Sequence, residues 1–111
     1  MPGKYYVTIN KKLASTFTIK RINLKRAMAI AGISEKNSEA VFASLNRMHK
    51  HVNAVAFAGM LQKSGAKRKD IENILRRIGI DDVSITSIFN TLDEEKIKST
   101  FGKVVELSVD M

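Results

Sequence analysis

The chain begins with two short stretches in which apolar and polar positions alternate. Tyr5, Val7 and Ile9 form the first stretch, and residues 13–19 repeat the same period of two. This period predicts β-strands, because successive side chains of a strand point to opposite faces of a sheet. The intervening residues 10–12, Asn-Lys-Lys, suit a short loop. The N-terminal twenty residues are therefore predicted to form a β-hairpin.

From Asn23 the apolar spacing changes to three and four residues, which is the period of an amphipathic helix. Glycines at 32, 65 and 79 mark predicted helix ends, because glycine readily adopts the left-handed conformation found there. The pattern predicts helices over residues 23–31, 38–51, 53–64 and 67–78, then one beginning at Asp81 or Asp82 and a last one over 93–101.

The C-terminal tail returns to alternation, with Val105, Leu107 and Val109 separated by polar residues. It is predicted to be a strand that pairs with the N-terminal hairpin. The predicted fold class is α+β, mainly α, with a helical body beside a small antiparallel sheet built from the hairpin and this strand. A length of 111 residues is that of one domain, so residues 1–111 are predicted to form a single domain.

Two parts of the chain resemble each other after a shift of 47 residues. Residues 24–46 then superpose on residues 71–93 without a gap, and the matched positions are the apolar ones. The pattern predicts two similar hairpins, each consisting of a helix, a glycine turn and a second helix, that bury the same face. The alternative is two unrelated pairs of amphipathic helices that share their spacing.

Charge is distributed unevenly within a net charge of +8. Residues 1–50 contain ten basic and two acidic side chains, residues 51–80 contain six and two, and residues 81–111 contain three and seven. A basic surface attracts polyanions, so a nucleic acid is the predicted partner, docked on the first eighty residues. A solvated lysine-rich surface that aids solubility is the alternative.

Residues 24–50 resemble the helix-turn-helix family of DNA-binding modules. Leu24 to Ala31 match the supporting helix, Gly32 the turn glycine, Ile33 the packing residue, and residues 38–50 the recognition helix. The predicted connection after Ile33 is longer than the tight turn of the compact members, while winged members have longer turns and a hairpin beside the motif. The resemblance implies a helix-turn-helix-like body in which exposed residues of the second helix contact base edges.

The predicted contact residues are lysines, arginines and asparagines around these helices. Asn46 and Arg47 suit the edges of adenine and guanine, while lysine and arginine reach phosphates. Their equivalents in the second copy, Asp93 and Glu94, would repel phosphate, so the first copy is the predicted DNA-binding one. The predicted nucleic-acid-binding residues are Lys20, Arg21, Lys25, Arg26, Lys36, Asn37, Asn46, Arg47, Lys50, Lys67, Arg68 and Lys69.

The composition indicates a small intracellular protein, of the cytoplasm or nucleoid, that binds nucleic acid. The helix-turn-helix resemblance implies that this nucleic acid is duplex DNA. A regulator of transcription or an accessory factor for replication, segregation or transfer fits this description. One alternative is an RNA- or single-strand-binding protein that uses the hairpin, where Tyr5, Tyr6 and Phe17 lie among lysines. Another is a non-enzymatic adaptor, in which the acidic C-terminal third contacts a protein partner or a second copy of the chain.

Catalytic and metal chemistry is not predicted. The chain has no cysteine, and His49 and His51 would point to different sides of a helix. The acidic groups at 81–82 and 93–95 fall at predicted helix starts, where carboxylates stabilise the helix. The N-terminus does not resemble a signal peptide, and the longest apolar stretch is too short to cross a bilayer. We therefore predict no enzyme activity, no cofactor, no metal and no membrane association.

Overall fold

The computed structural model describes the backbone of residues 3–9 and 16–109 and the side chains of residues 3–9 and 16–95. Within these ranges the predicted class is confirmed, because five helices pack on a three-stranded mixed sheet in an α+β, mainly α fold. The strands are β1 (Lys4–Thr8), β2 (Thr16–Lys20) and β3 (His51–Asn53), and the helices are α1 (Arg21–Ile30), α2 (Glu35–Arg47), α3 (Ala54–Lys63), α4 (Arg68–Ile78) and α5 (Asp82–Val109).

The sheet has β1 as its central strand. β2 pairs with β1 in antiparallel orientation and places Lys4 opposite Lys20, while β3 pairs with β1 in parallel orientation and places Tyr6 opposite His51. Side chains alternate between a face packed on the helices and an outer face. The two strands of the hairpin are confirmed, whereas the predicted loop at 10–12 lies outside the described residues.

The prediction of a C-terminal strand was wrong. The backbone is helical up to Val109, and the third strand of the sheet is instead β3, in the middle of the chain. Both edges of the central strand are occupied, by β2 and β3. The predicted start of a separate helix at residue 93 and its predicted end at residue 101 are also not observed, since α5 is one helix over Asp82–Val109. Helix propagation adds a hydrogen bond for each residue, so an established helix continues through a weak local signal for a strand.

The first two helices begin earlier than predicted. α1 starts at Arg21, whose amide donates to the carbonyl of Gly3 at 2.8 Å, so the N-terminal segment satisfies the first amide of the helix. α2 starts at Glu35, because the hydroxyl of Ser34 accepts from the amide of Asn37 at 3.2 Å. The connection between α1 and α2 is therefore four residues, 31–34, which is a length typical of helix-turn-helix turns.

The second helix also ends earlier, at Arg47 rather than His51. His49 and Lys50 are left-handed, with φ of 57° and 65°, and the Lys50 carbonyl accepts from the amide of Tyr6 at 2.8 Å. This pairing with β1 draws the chain out of the helix and into the sheet. Val52 is consequently buried in β3, and Met48, just past the end of α2, is 42% exposed.

The predicted glycine stops are confirmed at Gly32, Gly65 and Gly79, which have φ of 83°, 109° and 112°. In each turn the amide after the glycine donates to a carbonyl in the last turn of the helix, a pattern typical of C-terminal caps. These bonds join Ile33 to Met28 at 3.0 Å, Ala66 to Leu61 at 3.1 Å and Ile80 to Leu75 at 3.1 Å.

The matched positions of the two predicted hairpins have the same packing in the structure. Phe42 in α2 and Phe89 in α5 are only 1% and 2% exposed. The guanidinium carbon of Arg21 lies 4.1 Å from the centroid of the Phe42 ring, and that of Arg68 lies 4.6 Å from the Phe89 centroid. Arg68 follows Arg21 by 47 residues, which is the same shift that relates the two hairpins. The correspondence therefore extends to residues before the matched sequence segments.

A second structural correspondence, which was not predicted from the sequence, relates two parts of the chain by a shift of 33 residues. The order strand, helix, glycine turn and helix occurs in β2, α1 and α2, and again in β3, α3 and α4. α1 and α3 have ten residues each, and Gly32 and Gly65 occupy equivalent turns. α4 is therefore the second helix of one hairpin and the first helix of the next.

Alanine substitutions at two glycines should have opposite effects on stability. Gly32→Ala should lower the free energy of unfolding by about 1–2 kcal/mol, because its φ of 83° is strained for an L-residue although the added Cβ would meet no atom within 4 Å. Gly59→Ala, inside α3, should raise it by about 0.5–1 kcal/mol, since alanine is the better helix former and its Cβ would lie 3.5 Å from Leu92. Urea titrations of both variants measure whether the free energy of unfolding falls or rises.

Candidate nucleic-acid interface

Four cationic side chains converge on one concavity between the sheet and two helices. Lys4 comes from β1, Lys20 from the end of β2, Arg26 from α1 and Arg77 from α4, and together they line a volume of about 610 Å³. The remaining described lining residues are Thr18, Ile19 and Asn23. We call this concavity the basic groove. Its described lining contains these four cations and no carboxylate, so the lining carries a positive formal charge.

The basic groove brings like charges together at an energetic cost. Lys4 and Lys20 are directly opposite each other across the antiparallel pair of strands, and this placement of like charges destabilises a sheet. Among the side chains that the structure describes, neither lysine forms an ion pair, and the same holds for Arg26 and Arg77. A bound anion would offset this repulsion.

The arginines of α4 that lie outside the basic groove are neutralised by acidic partners. Arg68 is 3.3 Å from Glu72 and 4.0 Å from Asp93. Arg76 is 2.8 Å from Asp82 and 3.7 Å from Glu72, and its hydrogen bond with Asp82 raises its pKa above the ordinary value. The acidic residues of the C-terminal third thus offset charge on α4, while the cations of the basic groove remain uncompensated by described side chains.

Arg21, a predicted phosphate contact, is engaged by other side chains of the protein. Its Nη1 donates to the hydroxyl of Tyr5 at 3.3 Å, its Nη2 lies 3.5 Å from Glu39, and its guanidinium group lies over the Phe42 ring. These contacts join α1, β1 and α2. The half-buried Arg21 therefore stabilises the helical hairpin, and its charge is compensated by Glu39.

Asn46 and Arg47, the side chains of α2 that are predicted to contact bases, are exposed. Asn46 accepts a long hydrogen bond from the hydroxyl of Tyr5 at 3.4 Å, and Arg47 donates to Ser44, one turn earlier in the same helix, at 3.0 Å. The Arg47 contact is exposed and the Asn46 contact is part-buried, but both side chains are exposed, so either can turn to a ligand. Asn37 is different, because its Nδ2 donates to the carbonyl of Ser64 at 3.1 Å and joins α2 to the end of α3.

The other predicted contact residues are exposed but lie outside the lining of the basic groove. They are Lys25 on α1, Lys36 on α2, Lys50 before β3, and Lys67 and Lys69 at the start of α4. The predicted set is therefore spread over several faces, and the structure brings together only two of its members in the groove.

The basic groove combines these two predicted residues, Lys20 and Arg26, with two that the predicted set lacked. Lys4 could have been found from the strand pattern, since it alternates with the buried Tyr5 and so belongs to the polar face. Arg77 has no comparable signal. Its position depends on the packing of α4 near β2 and α1, which joins distant parts of the chain.

No protein-family model matches this chain, and comparisons with curated proteins and with solved structures also give no match. Of the helices in the described ranges, none combines the length and the apolar composition needed to span a membrane.

Proposed function

We propose that the protein binds duplex DNA and that the basic groove is its principal contact with the phosphate backbone. The observation that carries this proposal is the convergence of Lys4, Lys20, Arg26 and Arg77 on one concavity whose described lining has no carboxylate. Lysine and arginine supply most contacts to DNA phosphates, and these contacts set the position of the protein on the duplex. The α1–turn–α2 hairpin then presents α2 for contact with the bases, as in helix-turn-helix proteins.

The shape and charge of the protein support a polymeric anion rather than a small one. The groove is an open surface concavity of about 610 Å³, with cations contributed by two strands and two helices, and the whole chain has a net charge of +8. DNA supplies a continuous row of phosphates that can neutralise cations at several places together. A genomic DNA partner implies a location in the cytoplasm or nucleoid and a role as a regulator or accessory factor.

The test is a binding titration with a short labelled duplex at several salt concentrations. Four phosphate contacts predict a slope of about −3 to −4 in a plot of log affinity against log salt, because each contact contributes about −0.9. Binding that is independent of salt, or no binding at low salt, would contradict the proposal.

Substitutions on α2 separate base contacts from phosphate contacts. Asn46→Ala should lower the free energy of unfolding by at most about 1 kcal/mol, because the side chain is exposed but accepts one long hydrogen bond from Tyr5. It should relax discrimination between two unrelated duplexes by about 1–3 kcal/mol with little change in the salt slope. Arg47→Ala should do the same if Arg47 contacts a base, whereas a phosphate contact predicts a slope smaller by about one.

The matched control for α2 lies in the second hairpin. Glu94→Gln, at the position equivalent to Arg47, should not weaken DNA binding, and loss of its negative charge could strengthen it. Unchanged affinity and discrimination for both Asn46→Ala and Arg47→Ala would exclude α2 from the interface while leaving the role of the basic groove intact.

A further inference from the structure

The outer face of the sheet has a composition that suits a nucleic-acid strand. Alternation on all three strands turns its residues away from the buried face, and the set contains no acidic and no aliphatic side chain. Hydroxyl and amide groups surround two lysines and an aromatic pair. The residues of this face are Lys4, Tyr6 and Thr8 in β1, Thr16, Thr18 and Lys20 in β2, and His51 and Asn53 in β3.

Two rings stack on each other in the middle of this outer face. The parallel register of β1 and β3 places Tyr6 opposite His51, and the ring centroids are 4.7 Å apart with an angle of 15° between the planes. His51 is exposed and Tyr6 is half-buried. Tyr5, which precedes Tyr6 in the chain, is only 1% exposed and belongs to the core. Of the two hairpin tyrosines, Tyr6 is therefore the one available to a ligand.

The stacked pair is continuous with the basic groove. Lys4, Thr18 and Lys20 belong both to the outer face and to the lining of the groove. Tyr6 follows Lys4 by two residues on the same face of β1, a separation of about 7 Å, and lies opposite Thr18. A strand of nucleic acid with its phosphates in the groove would therefore extend its bases toward Tyr6 and His51.

The backbone just before His51 is strained. His49 and Lys50 both adopt positive φ, a conformation that costs free energy for residues other than glycine. This turn brings His51 into register with Tyr6 through the hydrogen bond between the Tyr6 amide and the Lys50 carbonyl.

We propose that Tyr6 and His51 form a stacking platform for unpaired bases of a single-stranded extension of DNA. This inference rests on the proposed function, because the phosphates of the same DNA occupy the basic groove. Aromatic rings beside cations bind single strands with little sequence preference, since every base has a face that can stack. The preferred ligand is then DNA in which a duplex continues into a single strand, such as an overhang.

The experiment compares a blunt labelled duplex with the same duplex carrying a short single-stranded extension. The extension should raise the affinity about 5- to 150-fold, which is the range expected for one base stacked on an aromatic ring. Tyr6→Thr and His51→Thr should remove this gain, and both keep a residue suited to a strand. Tyr6→Phe is the matched control, since it retains the ring and should retain the gain.

Each outcome distinguishes the platform from the proposed function. Equal affinity of the unmodified protein for both DNAs would overturn the platform, while the salt dependence of the blunt duplex would still support the groove. A gain that persists in both threonine variants would also overturn it, because the extension would then bind elsewhere. Failure to bind either DNA at low salt would overturn the proposed function itself. His51→Thr keeps the test decisive if Tyr6→Thr does not fold, because His51 is exposed.

Discussion

Truncation of either Phe42 or Phe89 to alanine should lower the free energy of unfolding by about 3–5 kcal/mol. Both rings are almost completely buried, and they occupy equivalent places in the two helical hairpins. Each substitution would leave a cavity in the core and remove the ring beneath a guanidinium group, that of Arg21 or Arg68. Phe42 also stacks on Tyr5, with ring centroids 5.6 Å apart.

Denaturant titrations measure this effect, and Val83→Ala provides a surface control. Val83 is 79% exposed, so its truncation should change the free energy of unfolding by less than about 0.5 kcal/mol. Similar losses for Phe42→Ala and Phe89→Ala would support equivalent packing in the two hairpins. A loss below about 1 kcal/mol at either phenylalanine would be incompatible with the core described above.

Neutralising the basic groove should remove most of the electrostatic component of DNA binding. Lys20→Gln with Arg26→Gln should reduce the magnitude of the salt slope by about two, because each lost phosphate contact reduces it by about one. Adding Lys4→Gln and Arg77→Gln should reduce it by about four in total. All four side chains line the groove and are exposed, at positions on strands or helices that need no charge for their packing.

Arg21→Gln is the matched control within the same helix. It removes the same charge as Arg26→Gln, but Arg21 is paired with Glu39 and covers Phe42, so the salt slope should stay unchanged. Its expected effect is instead a loss of about 0.5–1 kcal/mol in the free energy of unfolding, as for an exposed cation–π contact. Lys63→Gln, outside the groove lining, controls for the loss of a lysine. Equal changes of slope for Arg21→Gln and Arg26→Gln would contradict the assignment of the groove.

Several features of the fold could be predicted because their causes are local. The period of two in β1 follows from Tyr5 and Val7, which are buried side by side on one face. α4 was predicted to within one residue, since its apolar stripe and the left-handed Gly79 lie within one short segment. Periodicity and glycine conformation act over a few residues and do not require a distant partner.

Features that depend on distant partners could not be predicted from the pattern. The end of α2 was misplaced because the carbonyl of Lys50 is held by the amide of Tyr6, far earlier in the chain. The tail pattern around Val105 indicated a strand, but the central strand was already paired on both edges and α5 continued as a helix. A strand needs a neighbour with which to form hydrogen bonds, and only the tertiary structure determines which segment takes that place.

The candidate site shows the same division between local and tertiary causes. The sequence by itself determined that the first eighty residues are strongly basic and that helix–glycine–helix units follow a hairpin. The tertiary structure decided which cations remain uncompensated, by pairing Arg21 with Glu39 and by bringing Arg77 beside Lys20. The physical reason is that electrostatic interactions depend on distance in space, and the packing of α4 against the sheet and α1 sets those distances.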